Sequence, residues 1–71
     1  MIVEIDARGM RCPWPAIRVA RALREGAAVI EIIADDPAAP REIAAVADAA
    51  NATVHQTDTP AGPKFRVSRD S

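Results

Sequence analysis

The chain has 71 residues, nine Lys and Arg against ten Asp and Glu, a net charge of −1, and Trp14 and Phe65 as its aromatic residues. That length allows one small domain, near the lower limit for folding alone, with a thin aliphatic core. Near-neutral charge gives no strong nucleic-acid or membrane field, and no run approaches the roughly 20 apolar residues of a transmembrane helix.

Met1 to Asp6 alternates, with Val3 and Ile5 on one face and Ile2, Glu4 and Asp6 on the other. This predicts a half-buried strand. Ala7 to Arg11 reads as a loop. Pro13 to Glu25 reads as a helix, with Ile17, Ala20 and Leu23 facing in and Arg18, Arg21 and Glu25 facing out. Pro13 and Pro15 fall in its first turn, where a missing N–H costs little. Gly26 is placed to take the left-handed C′ conformation.

Ala28 to Ala34 is β-branched and nearly all apolar, with Glu31 its one charge, and reads as an interior strand. Asp35-Asp36-Pro37 predicts a helix start, with Asp36 as N-cap and Pro37 at the first helical position. That helix runs to about Ala50 and buries Ile43, Val46, Ala47 and Ala50. Pro40 falls at the end of its first turn, a position that can delay the start. Asn51 suits the left-handed C′ site. Ala52 to Asp58 and Lys64 to Arg69 read as a hairpin joined by the loop Thr59-Pro60-Ala61-Gly62-Pro63.

The order β-α-β-α-β-β predicts a two-layer α/β sandwich, a mixed four-stranded sheet with both helices on one face. The first three strands run parallel and the hairpin turns the fourth. Residues 1–71 read as a single domain. The Cys12 loop, the Asp35-Asp36 turn and the Thr59–Gly62 loop then share one edge, beyond the carboxyl ends of the strands, where sites gather in open α/β sheets.

Cys12 is the only cysteine and lies in Arg11-Cys12-Pro13-Trp14-Pro15. It can form no internal disulfide and no cysteine-rich zinc site. Free cysteines commonly serve as small buried hydrophobes. Here a Gly9 turn, flanking prolines and Arg8 and Arg11 place the thiol at or beside a helix N-cap instead. The dipole and the arginines there favour a thiolate. The thiol is therefore expected to be partly exposed and to titrate below the free value of about 8.5. Trp14 reads either as a core cap or as a partly exposed anchor for a docking partner. Arg8, Arg11, Arg18, Arg21 and Arg24 form either a solvated face or a patch for an acidic partner or RNA. Asp35 is placed to pair with Arg8 or Arg11 and hold the Cys12 loop. No hydrophobic stretch follows a basic start, so no signal peptide is expected, and one unpaired cysteine suits a reducing cytoplasm.

Asp6-Ala7-Arg8-Gly9-Met10-Arg11-Cys12-Pro13-Trp14-Pro15 resembles the N-terminal signature of the TusA-like (SirA-like) sulfur carriers, a Cys-Pro-x-Pro motif after a short glycine-containing loop. Ala34-Asp35-Asp36-Pro37 resembles the acidic turn of that family, and Phe65-Arg66-Val67 its last strand. The resemblance covers nearly the whole chain and implies sheet order 1-2-4-3. It also implies that Cys12 accepts a sulfane sulfur as a persulfide and passes it on. Arg8, Gly9, Arg11, Pro13, Pro15 and Asp35 would support the site, and Trp14, Arg18 and Arg21 would face partners. The partners implied are a sulfur-donor protein, such as a cysteine desulfurase or a rhodanese-like protein, and a sulfur-acceptor protein. Recipients in the family span transfer-RNA thiolation, sulfur oxidation and cofactor biosynthesis. No resident cofactor, metal, membrane or nucleic acid is expected, and the free carrier is expected to be a monomer.

Two departures stand out. Ala20 interrupts the basic cluster of the first helix, and Asn51 replaces a glycine usual after the second. With that strand order His55, the only histidine, lies three strand spacings from Cys12, on the order of 14 Å. It is expected on the strand surface, outside any Cys–His pair. The alternative function is a small RNA-binding or regulatory module using the arginine-rich face. Acidic pI and scarce aromatic residues for base stacking weigh against it.

Overall fold

A computed structural model describes residues 2–69. Six elements follow from their side chains with little ambiguity. Strand β1 is Ile2–Asp6 and β2 is Val29–Ile33, both rich in β-branched residues that fit a pleated surface. Helices α1, Trp14–Arg24, and α2, Ala39–Ala49, are rich in alanine, the strongest helix former. Strand β3 is Ala52–Thr59, and β4, Gly62–Arg69, completes the hairpin. Met1, included in the expected first strand, lies outside the described residues.

The sheet order is β1-β2-β4-β3. β1 and β2 are parallel, with Ile5 beside Ile32, while β4 runs antiparallel to both β2 and β3. β1, β2 and β3 therefore share a direction, as the crossover argument requires. Ile30, Ile32, Phe65 and Val67 point to the helical layer and are at most 1% exposed. On the opposite face Glu31 pairs with Lys64 at 3.1 Å and Arg66 at 3.2 Å, which suits a solvated sheet surface. β2 is thus central in the sheet, yet only one of its faces is buried.

Both helices stop where expected. Gly26 has φ 95°, and the N–H groups of Gly26 and Ala27 donate to the carbonyls of Leu23 and Ala22, each at 3.1 Å. This is a Schellman closure. Asn51 ends α2 with φ 57°, so asparagine meets the left-handed requirement that glycine would otherwise serve.

Three expectations are corrected. The inward face of α1 is Pro15, Ala16, Val19, Ala22 and Leu23, and Ile17 is 45% exposed. Of the expected set only Leu23 is buried; Ala20 is half-buried. The true face is rotated by about one residue, roughly 100°. Alanines on several sides blur the hydropathy phase, and Val19 with Leu23 decides it by joining the buried core cluster that includes Ile30 and Phe65. Second, α2 starts at Ala39 with Ala38 as N-cap. Asp36 caps a turn ahead of the helix, its Oδ1 accepting the Ala38 N–H at 2.8 Å. Pro37 lies in that turn and Pro40 supplies the proline of the first helical turn. Third, the hairpin loop shrinks to Pro60 and Ala61, since Thr59 and Gly62 already pair. Thr59 Oγ1 accepts the Ala61 N–H at 3.2 Å and donates to the Gly62 carbonyl at 2.7 Å, closing the turn without a longer loop.

Candidate functional site

The β1–α1 loop is built from its backbone outward. Ala7 N–H donates to the Ile33 carbonyl at 2.8 Å, and Met10 N–H returns to the Ala7 carbonyl at 3.1 Å. This turn needs a left-handed residue, and Gly9 supplies it with φ 81°. Two carboxylates from the β2–α2 turn hold the loop. Asp35 Oδ1 accepts the Gly9 N–H at 2.9 Å, and Asp36 Oδ2 accepts the Cys12 N–H at 3.2 Å. Side-chain acceptors thus satisfy donors that no strand or helix can reach. The Cys12–Pro13 peptide bond is cis. Pro13 is the N-cap of α1, and Pro15 is buried in the first turn. Trp14 N–H is taken by the Arg11 carbonyl at 2.9 Å and is not available to the sulfur.

Cys12 is free and partly exposed, one residue ahead of that N-cap. Its Sγ–H donates to Glu42 Oε1 at 3.3 Å. Glu42 lies in the first turn of α2. The thiol pKa is pushed up, chiefly by this hydrogen bond, then by burial, then by the negative charges of Glu42 and Asp36, with Arg41 opposing. The expectation of a lowered thiol pKa is therefore reversed. Neither expected cation pairs with the sulfur. Arg8 forks onto Asp6 at 2.8 and 2.9 Å, and Arg11 is exposed and forms no ion pair among the described residues. Asp35 binds loop backbone, and among the described residues it forms no ion pair with Arg8 or Arg11.

Glu42, Arg41 and Ile17 were not legible as site residues. A helix start at Asp36 would place position 42 in the second turn. The signal for Glu42 is an acidic residue two positions after Pro40, once Pro40 marks the first turn.

The Arg8–Asp6 fork holds the Asp6 carboxyl at about 2, through the Arg8 side-chain and backbone hydrogen bonds. The unfolded value is near 3.9. The depressed folded value means the contribution to stability is present above about pH 4 and lost as pH falls through about 2. Both side chains are at least half exposed, so the effect on stability is small. Carbon-detected NMR titration should find Asp6 titrating low in the wild type and normally in Arg8→Ala. An unchanged Asp6 in that variant would remove the fork as the cause.

Trp14 is 59% exposed, and with Ile17, Arg18 and Arg21 it forms an exposed face of α1, the helix that follows Cys12. The exposed alternative for Trp14 is the observed one. Arg21 also pairs with Glu25 at 3.3 Å across one helical turn. His55 is exposed on β3, the far edge of the sheet, opposite Arg66. Among the described residues no three His, Cys, Asp or Glu side chains are grouped to hold a metal ion. No described helix is long and apolar enough to cross a membrane.

A partly exposed thiol, a pinned glycine loop and a proline-bracketed helix start make a site that can exchange sulfur with another molecule. Comparison with known proteins points the same way. A candidate sulfur carrier protein of Archaeoglobus fulgidus is 43% identical over 42 residues, 56% of this chain and 54% of that protein. The chain thus matches about half the length of that relative. The crystal structure of a SirA-like protein from Desulfitobacterium hafniense superposes with a TM-score of 0.85 at 27% identity, covering all of both chains. The family model for sulfurtransferase TusA matches residues 3–69, all but the ends of the sequence. This chain belongs to the TusA sulfurtransferase family.

Proposed function

We propose that this protein is a sulfur carrier that accepts a sulfane sulfur as a persulfide on Cys12 and relays it to a partner protein. The observation that carries the reading is the position of Cys12. It is a lone, partly exposed thiol in Cys-Pro-Trp-Pro, on a loop fixed by Asp35 and Asp36. The Cys12 thiolate attacks the outer sulfur of a donor persulfide. A new S–S bond forms at Sγ, the donor S–S bond breaks, and the donor leaves as a thiolate. The proton lost by Cys12 goes to solvent and returns to that leaving thiolate. Unloading reverses the roles, with an acceptor nucleophile taking the outer sulfur and Cys12 leaving. No second cysteine can discharge the persulfide internally, so the sulfur must go to another molecule. Gly9, Pro13 and Pro15 shape the loop, and Arg8 and Arg11 border it. A cysteine desulfurase or rhodanese-like protein would serve as donor, and the reducing cytoplasm suits a single free thiol.

Incubation with inorganic polysulfide followed by intact-mass measurement tests this. The expected result is a gain of one sulfur atom that dithiothreitol removes. No gain, under conditions that load a known persulfide-forming thiol, overturns the reading. Tight, salt-sensitive RNA binding that survives Cys12→Ser would favour the RNA-binding module instead.

Trp14, Arg18 and Arg21 are assigned to docking, with Ile17 added to the patch. The double reversal Arg18→Glu, Arg21→Glu should leave loading by polysulfide unchanged. Transfer from a donor protein should slow on the order of tenfold at low salt. The difference should narrow as salt rises, because screening weakens what the arginines contribute. An unchanged transfer rate at low salt would show this face to be merely solvated.

A further inference from the structure

We infer that Glu42 is a positioning residue that restrains Cys12, its carboxylate holding the Sγ proton so that the resting protein carries a thiol and not a thiolate. The inference deepens the carrier reading, and rests on it only for its meaning in sulfur transfer. The geometry is specific. The Glu42 carboxylate reaches the sulfur from the first turn of α2, 30 residues away in sequence, at 3.3 Å and in a half-buried setting. A glutamate there is well placed against the positive end of the α2 dipole. Its oxygen accepts from a neutral thiol and repels an anion on the same atom.

The charged groups around the sulfur come from both sides. From α2 and its preceding turn these are Glu42, Arg41 and Asp36, the last also bonded to the Cys12 N–H. On its own loop Arg11 is solvated and Arg8 is bound to Asp6, while Asp35 is engaged by the Gly9 N–H. Two carboxylates, Glu42 and Asp36, thus meet the sulfur where the sequence suggested arginines. Asp36 and Asp35 have backbone donors to satisfy. Glu42 has the thiol itself. Its removal should therefore change the chemistry of the sulfur without dismantling the loop.

The consequence is a carrier that resists stray electrophiles until its site is altered by a partner. A group that engages the Glu42 carboxylate would remove the acceptor of the Sγ proton and the opposing charge together, and the thiolate would form where the donor sulfur lies.

The test is the pH profile of iodoacetamide alkylation on the intact protein, read by mass, for wild type, Glu42→Gln and Arg41→Ala. Wild type should show a midpoint above that of a free cysteine peptide measured alongside. Glu42→Gln should move the midpoint down and raise the alkylation rate at pH 7 by about threefold or more. The gain in thiolate is partly offset by lower intrinsic nucleophilicity. Arg41→Ala should move the midpoint up and slow the reaction, a contrast that a merely structural role would not produce. If Glu42→Gln fails to fold by circular dichroism, the exposed Arg41 variant carries the test alone. An unchanged midpoint in Glu42→Gln, or in Arg41→Ala where it stands alone, overturns the restraint even if wild type loads polysulfide. A shifted midpoint in a wild type and variant pair that never loads polysulfide upholds the restraint and removes the carrier reading.

Discussion

Cys12→Ala should abolish sulfur loading completely while leaving the fold in place. Loading needs a nucleophilic sulfur, and the chain has no other cysteine to substitute for it. The loss should be total, within detection by intact mass, for polysulfide and for any donor protein. Stability should hardly change. The residue is partly exposed and lies ahead of α1, outside the packed cluster of Ile5, Val19, Leu23, Ile30, Ile32, Ile43, Phe65 and Val67. Its N–H still meets Asp36, because that bond uses backbone. Changes of this kind leave the melting temperature of a domain this small within about 4 °C. Residual loading in Cys12→Ala would place the sulfur elsewhere, on a non-thiol group or a contaminant, and would end the assignment. A collapse of the melting transition would instead mean that Cys12 has a packing role that its exposure does not suggest.

Phe65→Ala should do the opposite, removing the fold and only thereby the function. Phe65 is 1% exposed and heads the largest fully buried side chains. It lies on β4 between Ile32 of β2 and Gln56 of β3, so it fills the middle of the helical side of the sheet. Truncating a buried phenylalanine costs about 3–5 kcal/mol, the lost transfer energy plus the cavity left behind. A domain of this size commonly has only about 3–5 kcal/mol to lose. Phe65→Ala should therefore be largely unfolded at 25 °C. Phe65→Leu should retain a cooperative transition with a lower urea midpoint and an unchanged slope. A cost below about 1 kcal/mol for the alanine variant would mean that the core is not organised around this ring.

Much of this architecture was legible in the sequence, for local reasons. Strand β1 shows a period of two, and β2 is a β-branched run. Gly26 and Asn51 stand where left-handed residues are needed, and β3 and β4 lie too close for a crossover. Right-handed connection geometry then leaves few topologies. Cys12 at the start of α1, between a glycine turn and two prolines, was legible for the same reason, since proline and glycine act on their own backbone. Exposure of Trp14 was one of two open readings, and packing chose it.

The rest depended on contacts between residues far apart in the chain. In α1 alanines on several sides leave the hydropathy phase weak. Only the fit of Val19 and Leu23 onto the sheet turns Ile17 outward, next to Trp14. Asp36 looks like an N-cap because its local sequence is that of one. In the folded chain one of its oxygens caps the Ala38 turn while the other reaches Cys12, and α2 begins at Ala39. The electrostatics of the sulfur changed most. Sequence proximity put Arg8 and Arg11 beside Cys12, but Arg8 is held by Asp6 two residues away. Glu42, 30 residues distant, arrives at 3.3 Å. The sequence by itself determined the backbone turns and the one available nucleophile, because these follow from single residues and short periods. Tertiary structure alone decided which charge meets that nucleophile, because Coulomb and hydrogen-bond terms depend on distance in space, and two helices on one sheet bring the start of α2 to the thiol while Asp6 holds Arg8.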